Sequence, residues 1–269
     1  MTAANHQLPA VSLLSFPKCG RTWLKAMLKA YFERAFGVAD LPFDGHEQWH
    51  KKHDHIPRIG VEHDDDPHFK TPDELHRSRA RFEKRRVIFL VRDPRDVMVS
   101  LFYEMTKRTK FYEDWGFDTE RVRKDTDNVS TFIRGSVGRL ASLIAYWSIW
   151  NDQQGVVRDF TMSRYEDLHE NAEAELSRLL TFMEVPVDSE GVKAAVEECR
   201  FESMRKREAR GGFDSKTLQP ANPDDSDSFK VRRGVVGGYT EEMSAEDVAW
   251  IDEQIDTLPT LFACYRRQR

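Results

Sequence analysis

The sequence predicts an α/β fold with three layers, in which a central parallel sheet is flanked by helices on both faces. Short apolar runs alternate along the chain with longer segments whose apolar residues recur at helical spacing, which indicates strands alternating with helices. The run 86–91 is almost continuously apolar, as expected for a strand buried on both faces of a parallel sheet. The run 11–14 is similar, and an amphipathic helical pattern follows it after a tight loop.

Composition narrows the class of protein. At 269 residues and 39% hydrophobic, the chain suits one domain, 1–269, with a substantial core. A net charge of −5 disfavours general nucleic-acid binding, and no run approaches the ~18 apolar residues of a membrane helix. The N-terminus lacks a signal-peptide pattern, and three scattered cysteines do not form a disulfide framework. We therefore expect a cytoplasmic protein without a nucleic-acid partner or membrane span, and its oligomeric state is left open.

The first half of the chain is predicted to supply three strands, at 10–15, 58–62 and 86–91. Helices are predicted between and after them, over 22–36, 72–84 and 97–107. Gly37 is a natural stop for the first helix. Residues 1–9 are expected to be frayed, and 40–58 to be irregular.

The second half is predicted to be mainly helical. After a loop-rich segment, 108–129, come a long helix over 131–151, a strand over 156–162 and helices over 171–183 and 189–207. Residues 211–229 are rich in Gly, Pro, Asp and Ser, and therefore predict a mobile loop. Ser244 is expected to cap a terminal helix, with Asp247 completing a partial capping box.

The loop 17–22 is the first candidate site. It leads from a strand into a helix N-terminus, where free backbone N–H groups and the helix dipole attract anions. Lys18 and Arg21 add charge, Thr22 adds a donor, and Gly20 lets the backbone approach a phosphate closely. The lysine precedes the single glycine, so the loop is not a Walker A sequence. The sequence therefore predicts a P-loop-like phosphate site that lacks the nucleotide triphosphatase signature.

A second candidate site follows the most apolar strand, in the segment 92–100. Arg92 ends that strand, and Ser100 lies eight residues later in the next helix. An arginine offers a planar fork to a phosphate and a serine adds a donor. Because ligands bind at the carboxyl ends of strands in α/β sheets, this segment is expected beside the first loop. A strand–turn–helix with a solvated charge cluster would show the same pattern.

The loop 17–23, written P-K-x-G-x-T-W, resembles the 5′-phosphosulfate loop of sulfotransferases that use 3′-phosphoadenosine-5′-phosphosulfate (PAPS). The usual family sequence is P-K-S-G-T-T-W, so this chain departs from it at Cys19 and Arg21. The family's R-[DN]-P-[RK]-D-x-x-x-S motif matches 92–100. A third family element, R-K-G-x-x-G-D-W, is similar to 232–239, where Gly-Tyr replaces the final Asp-Trp.

The resemblance implies a P-loop-like fold that binds PAPS and its product adenosine 3′,5′-bisphosphate (PAP). The family's 3′-phosphate is held by the arginine and serine that correspond to Arg92 and Ser100. Aromatic contacts to adenine are implied for Trp23, Tyr165 and Phe201. The complete implied cofactor set is Pro17, Lys18, Cys19, Gly20, Arg21, Thr22, Trp23, Arg92, Ser100, Tyr165, Phe201, Arg232, Arg233 and Gly234.

The family transfers a sulfuryl group to a hydroxyl or amine, commonly with a histidine base in a K-T-H sequence after the second strand. Here the sequence at that place is Val61-Glu62-His63, which makes His63 the candidate base, with His55 and His68 as alternatives. An imidazole with a pKa near 6.5 suits this task at neutral pH. Lys18 is the second catalytic candidate, because the resemblance places it at the leaving oxygen. The acceptor is a small molecule that the sequence does not name, and this scheme requires no metal.

Three other interpretations remain open. The run 50–55, H-x-x-H-D-H, followed by Asp64–Asp66 could hold a metal ion. Cys19, near a helix N-terminus and two cations, could be an activated nucleophile. A P-loop kinase, or a nucleotide-binding module without sulfuryl transfer, would share the phosphate contacts. Aromatic residues that could line an acceptor pocket or pack in the core are Phe102, Tyr103, Phe111, Tyr112, Trp115 and Phe117.

Overall fold

The computed structural model describes residues 8–114, 116, 118–124, 126–215 and 218–267. A sheet of four parallel strands has the order β2-β1-β3-β4. The strands are β1 (Val11–Ser15), β2 (Ile59–Glu62), β3 (Arg86–Val91) and β4 (Asp159–Arg164). The helices are α1 (Arg21–Ala35), α2 (Pro94–Lys107), α3 (Thr109–Asp114), α4 (Glu120–Arg123), α5 (Val129–Arg134), α6 (Leu140–Gln153), α7 (Tyr165–Glu170), α8 (Ala172–Phe182), α9 (Ser189–Glu198), α10 (Phe201–Ala209) and α11 (Ala245–Ile255).

Helices cover both faces of this sheet, and the predicted α/β fold class is confirmed. Every residue of β1 is buried, as are Val87–Val91 of β3, because side chains on both faces of these strands meet helices. On one side α1 packs against α8 and α9. On the other side of the sheet, α6 packs against β3, with the centres of the Phe89 and Trp150 rings 5.3 Å apart.

Strand register brings the carboxyl ends of all four strands to one edge of the sheet. Leu14 pairs with Glu62, Ser15 with Leu90, and Val91 with Arg164. The residues that directly follow each strand therefore lie next to one another. This edge is where ligands bind in parallel α/β sheets.

The predicted helix over 72–84 is wrong. This segment forms two short 3₁₀ turns, Pro72–Glu74 and Ala80–Phe82, with extended chain between them. Between these turns the Arg79 side chain is buried, with Nε 2.8 Å from a carboxylate oxygen of Asp64. A tertiary ion pair here outweighs the weak helical preference of a polar segment.

Two long predicted helices are each divided. Residues 131–151 form α5 and α6, because the glycine-containing segment 135–138 interrupts them. Gly138 has a φ of +71° and passes so close to His68 that a Cβ would lie 1.9 Å from the His68 carbonyl oxygen. Likewise α9 ends before Cys199 and α10 begins at Phe201.

Three loop and boundary predictions also need correction. The segment 108–129 contains α3 and α4, and β4 starts at 159 because a 3₁₀ turn occupies Gln154–Val156. The segment 211–229 buries Phe213, Leu218 and Phe229, more apolar surface than its composition suggested. The predicted terminal helix is present as α11, and Ser244 accepts a hydrogen bond from the Asp247 N–H. No helix within the described ranges is long and apolar enough to cross a membrane.

Candidate active site

A cavity of about 490 Å³ opens at the carboxyl edge of the sheet. This volume is typical of small-molecule sites. All the predicted site residues except Cys19 line it: Pro17, Lys18, Gly20, Arg21, Thr22, Trp23, His63, Arg92, Ser100, Tyr165, Phe201, Arg232, Arg233 and Gly234. The fold thus brings together three segments that are far apart in the sequence.

The first loop turns sharply into α1. Lys18 has a φ of +73° and Gly20 a φ of +89°, and helix α1 begins at Arg21. A Cβ at Gly20 would lie 2.6 Å from Cδ2 of Tyr165, so glycine is needed for the Tyr165 ring to pack on this backbone. The loop therefore lies at the positive end of the helix dipole, where an anion is favoured.

The Cys19 side chain faces away from the cavity. It is fully buried, and its Sγ lies 3.9 Å from the carbonyl oxygen of Pro17. Burial raises the pKa of the thiol, which keeps it protonated. The hypothesis of an activated nucleophile is therefore wrong, and any cofactor contact of Cys19 would be made by its backbone.

Arg92 connects the first and third segments. Its Nη1 donates to the Lys18 carbonyl oxygen at 3.3 Å, and its Nη2 to the Val235 carbonyl oxygen at 3.0 Å. The guanidinium carbon lies 4.3 Å from the centre of the Tyr165 ring. The Nε atom is buried and has no hydrogen-bond partner among the described residues. A donor therefore remains available beside Ser100 on the cavity wall.

Asp96, which the sequence analysis did not select, fixes the third segment to α2. Its two carboxylate oxygens accept hydrogen bonds from the N–H groups of Gly237 and Tyr239, at 2.8 and 3.0 Å. A Cβ at Gly234 would lie 2.3 Å from the Phe201 ring, so this glycine also permits a close approach. Asp96 lies in the first turn of α2, four residues after Arg92, and its place in the matched motif 92–100 was the available signal.

The two arginines of the third segment already have acidic partners. Arg232 lies 2.8 Å and Arg233 3.0 Å from the same carboxylate oxygen of Glu242. The Tyr103 hydroxyl donates to the other oxygen at 2.7 Å, and the Arg232 guanidinium lies over the Tyr103 ring. Both arginines line the cavity, so Glu242 neutralises part of the charge there.

Aromatic side chains form one end of the cavity. The Trp23 Nε1 donates to the Cys199 carbonyl oxygen at 2.8 Å, and its ring lies 5.8 Å from that of Tyr165. His169, absent from the sequence prediction, hydrogen-bonds the Tyr165 hydroxyl at 3.0 Å through Nε2. Phe201 lines the same cavity. Together these rings offer apolar faces on which a flat heterocycle could stack.

His63 follows β2 and is held between two groups. Its Nδ1 lies 3.1 Å from the Ser15 carbonyl oxygen, and its Nε2 lies 2.7 Å from Nη2 of Arg21. A carbonyl can only accept and a guanidinium can only donate, so Nδ1 carries the proton and Nε2 presents a lone pair. Burial and the nearby Arg21 charge hold the pKa of His63 well below its usual range. His63 is therefore a neutral imidazole at neutral pH.

The alternative histidines occupy different positions. His68 is buried, its ring lies 5.2 Å from that of His63, and neither ring nitrogen has a partner among the described residues. Burial lowers the pKa of His68 to about 3. His55 is exposed, with its ring 5.8 Å from the Phe36 ring. His63 lines the cavity, whereas His55 and His68 are not among the described residues that line it.

The proposed metal run has no matching cluster. Within the described ranges, no group of three or more His, Cys, Asp or Glu side chains could hold a metal ion. The His53 ring stacks on the Phe36 ring with their centres 4.7 Å apart, and the Asp64 carboxylate already contacts Arg79 and Trp150.

Among the aromatic candidates for an acceptor pocket, Trp115, Phe117 and the Phe111 side chain lie outside the described residues.

Glu104 is a third residue, after Asp96 and His169, that the sequence analysis missed. Its carboxylate lies 2.7 Å from the Lys18 ammonium and 2.6 Å from that of Lys230. Burial lowers the pKa of Lys18 to about 7, although the Glu104 charge opposes this change. Glu104 is four residues after Ser100, which places both on one face of α2.

Comparisons with known proteins identify the family of this chain. The sulfotransferase domain family matches residues 8–262. Cytosolic sulfotransferase 12 of Arabidopsis thaliana is 24% identical over 274 residues, which cover 91% of this chain and 76% of that protein. The Amine sulfotransferase of Oryctolagus cuniculus is 21% identical over 280 residues, which cover 94% of this chain and 82% of that protein.

Solved structures show the same fold at lower identity. Mouse sulfotransferase SULT7A1, complexed with PAP, aligns with a TM-score of 0.63 at 17% identity, covering 98% of this chain and 89% of that one. Retinol dehydratase, in complex with androsterone and PAP, aligns with a TM-score of 0.58 at 13% identity, covering 97% and 82% of the two chains. Because the family match spans nearly its whole length, this chain belongs to the sulfotransferase domain family.

Proposed function

We propose that the protein transfers a sulfuryl group from PAPS to the hydroxyl of a small-molecule acceptor, with His63 as the general base. The observation that carries this proposal is the meeting of three cationic segments and a neutral histidine on the wall of one cavity. The solved relatives that were crystallised with PAP support the choice of cofactor. The names of the curated relatives support a cytoplasmic location.

The residues of the cavity fit such a nucleotide. The Nη1 of Arg21 and the Nε of Arg92 are buried donors without a partner among the described residues, as expected for groups that receive a ligand oxygen. Gly20 lets the backbone approach an anion closely, and it lies at the start of a helix. The rings of Trp23 and Tyr165 offer a surface for adenine.

Each part of the cofactor has proposed partners. Lys18, Gly20, Arg21 and Thr22 would hold the 5′-phosphosulfate. The 3′-phosphate would contact Arg92 and Ser100, together with Arg232, Arg233 and Gly234. When bound, PAPS supplies an activated sulfuryl group and a phosphate leaving group. The ammonium of Lys18 would stabilise the charge that develops on the leaving oxygen, so fixed cations perform the electrostatic work.

His63 would take the proton of the acceptor hydroxyl at Nε2, since Nδ1 already donates to the Ser15 carbonyl. Arg21 competes for this lone pair, because its Nη2 lies 2.7 Å away. An anion bound against Arg21 would offset its charge and so raise the basicity of His63. The arrangement favours proton transfer after the cofactor has bound.

The kinase interpretation has less support. The loop is not a Walker A sequence, because its lysine precedes its single glycine. A binding module without turnover would share the phosphate contacts, but it would not need a neutral histidine on the cavity wall. The acceptor could be a small alcohol, phenol, sugar or lipid.

Transfer of labelled sulfuryl from PAPS across a panel of these acceptors tests the proposal. Activity on none of them, with ATP-dependent labelling of the same panel, would support the kinase interpretation instead. A binding test is independent of the acceptor. PAP at 100 times its dissociation constant should add ~2.7 kcal/mol to the free energy of unfolding, whereas ATP, lacking a 3′-phosphate, should stabilise the protein weakly. Equal stabilisation by ATP, dependent on Mg²⁺, would contradict the cofactor assignment.

A further inference from the structure

The Glu104 carboxylate is buried behind two lysines of the cavity wall, where it joins three elements. It lies on α2 and is 4% exposed. One oxygen lies 2.7 Å from Nζ of Lys18 in the first loop, and the other lies 2.6 Å from Nζ of Lys230, just before the third segment. The Tyr112 hydroxyl of α3 donates to the same carboxylate at 3.1 Å. Glu104 thus links the first and third segments through their lysines.

One buried carboxylate faces several cations here. Besides the two lysines, Nε of Arg108 lies 3.5 Å from Glu104. Arg21 and His68 are close enough to interact electrostatically with this cluster. Burial alone would raise the pKa of the Glu104 carboxyl, but the charges of Lys18, Lys230 and Arg108 hold that pKa well below its usual range. The group is therefore a carboxylate throughout the neutral pH range.

A buried ammonium loses its hydration and tends to give up its proton unless a counterion is close. Glu104 is the counterion of both lysines, and besides burial the charge of Lys230 lowers the pKa of Lys18. With Arg108 included, the cluster retains an excess of positive charge. Such a cluster can attract an anion and yet keep its ammonium groups at fixed positions.

We propose that Glu104 is a positioning residue that holds the Lys18 ammonium in its place and keeps it protonated for contact with the 5′-phosphosulfate. This inference rests on the proposed function, because that function assigns the 5′ end of the cofactor to Lys18. Glu104 itself would not touch the acceptor or the sulfuryl group. Its effect is on the charge of Lys18, so it should be visible in the pH dependence of cofactor binding.

Calorimetric titration of PAP between pH 4 and 9 tests this inference. The affinity of the unsubstituted protein should fall as the pH rises through about 7, where Lys18 loses its proton. In Glu104→Gln the midpoint of this fall should move down by about one to three pH units, the usual effect of one close charge. We compare midpoints and not affinities between the two proteins. Removing the carboxylate also removes its repulsion of the bound anion, which changes the affinity at every pH. Adenosine 3′-monophosphate, which lacks the 5′-phosphate, should show no such midpoint in either protein.

Matched variants complete the experiment. Glu175→Gln makes the same change at a buried carboxylate outside the cavity, which contacts Ser163 and Arg178, and should leave the midpoint unchanged. Glu104→Asp, which keeps the charge, should restore much of the original midpoint. Lys230→Met removes a cation next to Lys18 and should move the midpoint upward. This variant replaces Glu104→Gln in the experiment if Glu104→Gln does not fold.

The outcomes separate the two levels of the proposal. If PAP does not bind the unsubstituted protein, the proposed function fails. If PAP binds and Glu104→Gln keeps the original midpoint, Glu104 does not control Lys18 and this inference is overturned. If Glu104→Gln does not fold, Lys230→Met decides instead, because it leaves Lys18 as the one lysine among the described residues that is paired with Glu104. An unchanged midpoint there would show that Glu104 does not control Lys18.

Discussion

Replacing His63 with alanine should lower turnover far more than cofactor binding. Loss of a general base typically costs ~10²–10⁴ in rate, which is about 2.7–5.5 kcal/mol in the activation free energy. The imidazole contacts the Ser15 carbonyl and Nη2 of Arg21, and Nη1 of Arg21 stays available to the phosphosulfate without it. PAP affinity should therefore change by about twofold or less. The free energy of unfolding should fall by about 1–3 kcal/mol, because two hydrogen bonds are lost from a partly buried site.

The assay is initial-rate kinetics at several pH values, with PAP affinity measured separately by calorimetry. In the unsubstituted protein, the acid limb of kcat/KM for the cofactor should lie well below pH 6.5, because the pKa of His63 is lowered by burial and by Arg21. A lowered pKa leaves the base unprotonated as the pH falls through 6.5, so activity should persist there. An acid limb centred at 6.5 would show that the imidazole is solvated.

His55→Ala and His68→Ala are the controls. His55 is exposed and stacks near Phe36, so its loss should leave turnover unchanged. His68 is buried beside His63, so its substitution should reduce stability more than the rate measured on the folded protein. An inactive His68→Ala protein together with wild-type turnover in His63→Ala would refute the assignment of the base. The fold and the cofactor site would survive that result.

Two further predictions concern the cofactor. Arg92→Ala should weaken PAP binding by ~1.5–3 kcal/mol or more, since its guanidinium also holds the carbonyls of Lys18 and Val235, whereas Ser100→Ala should cost nearer ~1 kcal/mol by calorimetry. Unchanged affinity in both variants would mean that the 3′-phosphate binds elsewhere. Hydrogen exchange in the described parts of 211–229 should slow when PAP binds, because this segment leads directly into Arg232 and Arg233. Equal protection with and without PAP would count against a closing loop.

The site residues at the strand ends could be predicted from the sequence. Lys18, His63, Arg92 and Tyr165 each follow a strand, and parallel strands place their carboxyl ends at one edge. Local pattern and topology were sufficient to place Lys18 and Arg92, whereas His63 and Tyr165 were selected by the family resemblance, and the roles of all four stay predictions. The limits of β3 were also predicted, because a fully buried parallel strand has a continuous apolar run.

Contacts between distant side chains could not be predicted in the same way. Glu104 and Lys230 are 126 positions apart, and nothing local indicates that they meet. The segment 72–84 shows the same limitation, since the ion pair of Arg79 with Asp64 determines its path. The division of the helix over 131–151 had a local signal in Gly135 and Gly138, but the close approach of Gly138 to His68 is a tertiary feature.

A cation of each of the three segments lies close to a different carboxylate, which would let an acidic protein keep several cations at one cavity. Lys18 pairs with Glu104 at 2.7 Å, Arg92 lies 3.5 Å from Asp96, and Arg232 lies 2.8 Å from Glu242. Desolvated cations without counterions would repel one another and destabilise the fold.

These carboxylates also hold the cations in place, so a bound cofactor would meet cations that are already oriented. The phosphates would then share each cation with a carboxylate, and part of their attraction would be offset by repulsion from it. Shape and hydrogen bonding must therefore contribute much of the affinity for PAP. For this reason the unpartnered donors of Arg21 and Arg92 matter more to recognition than the total number of cations.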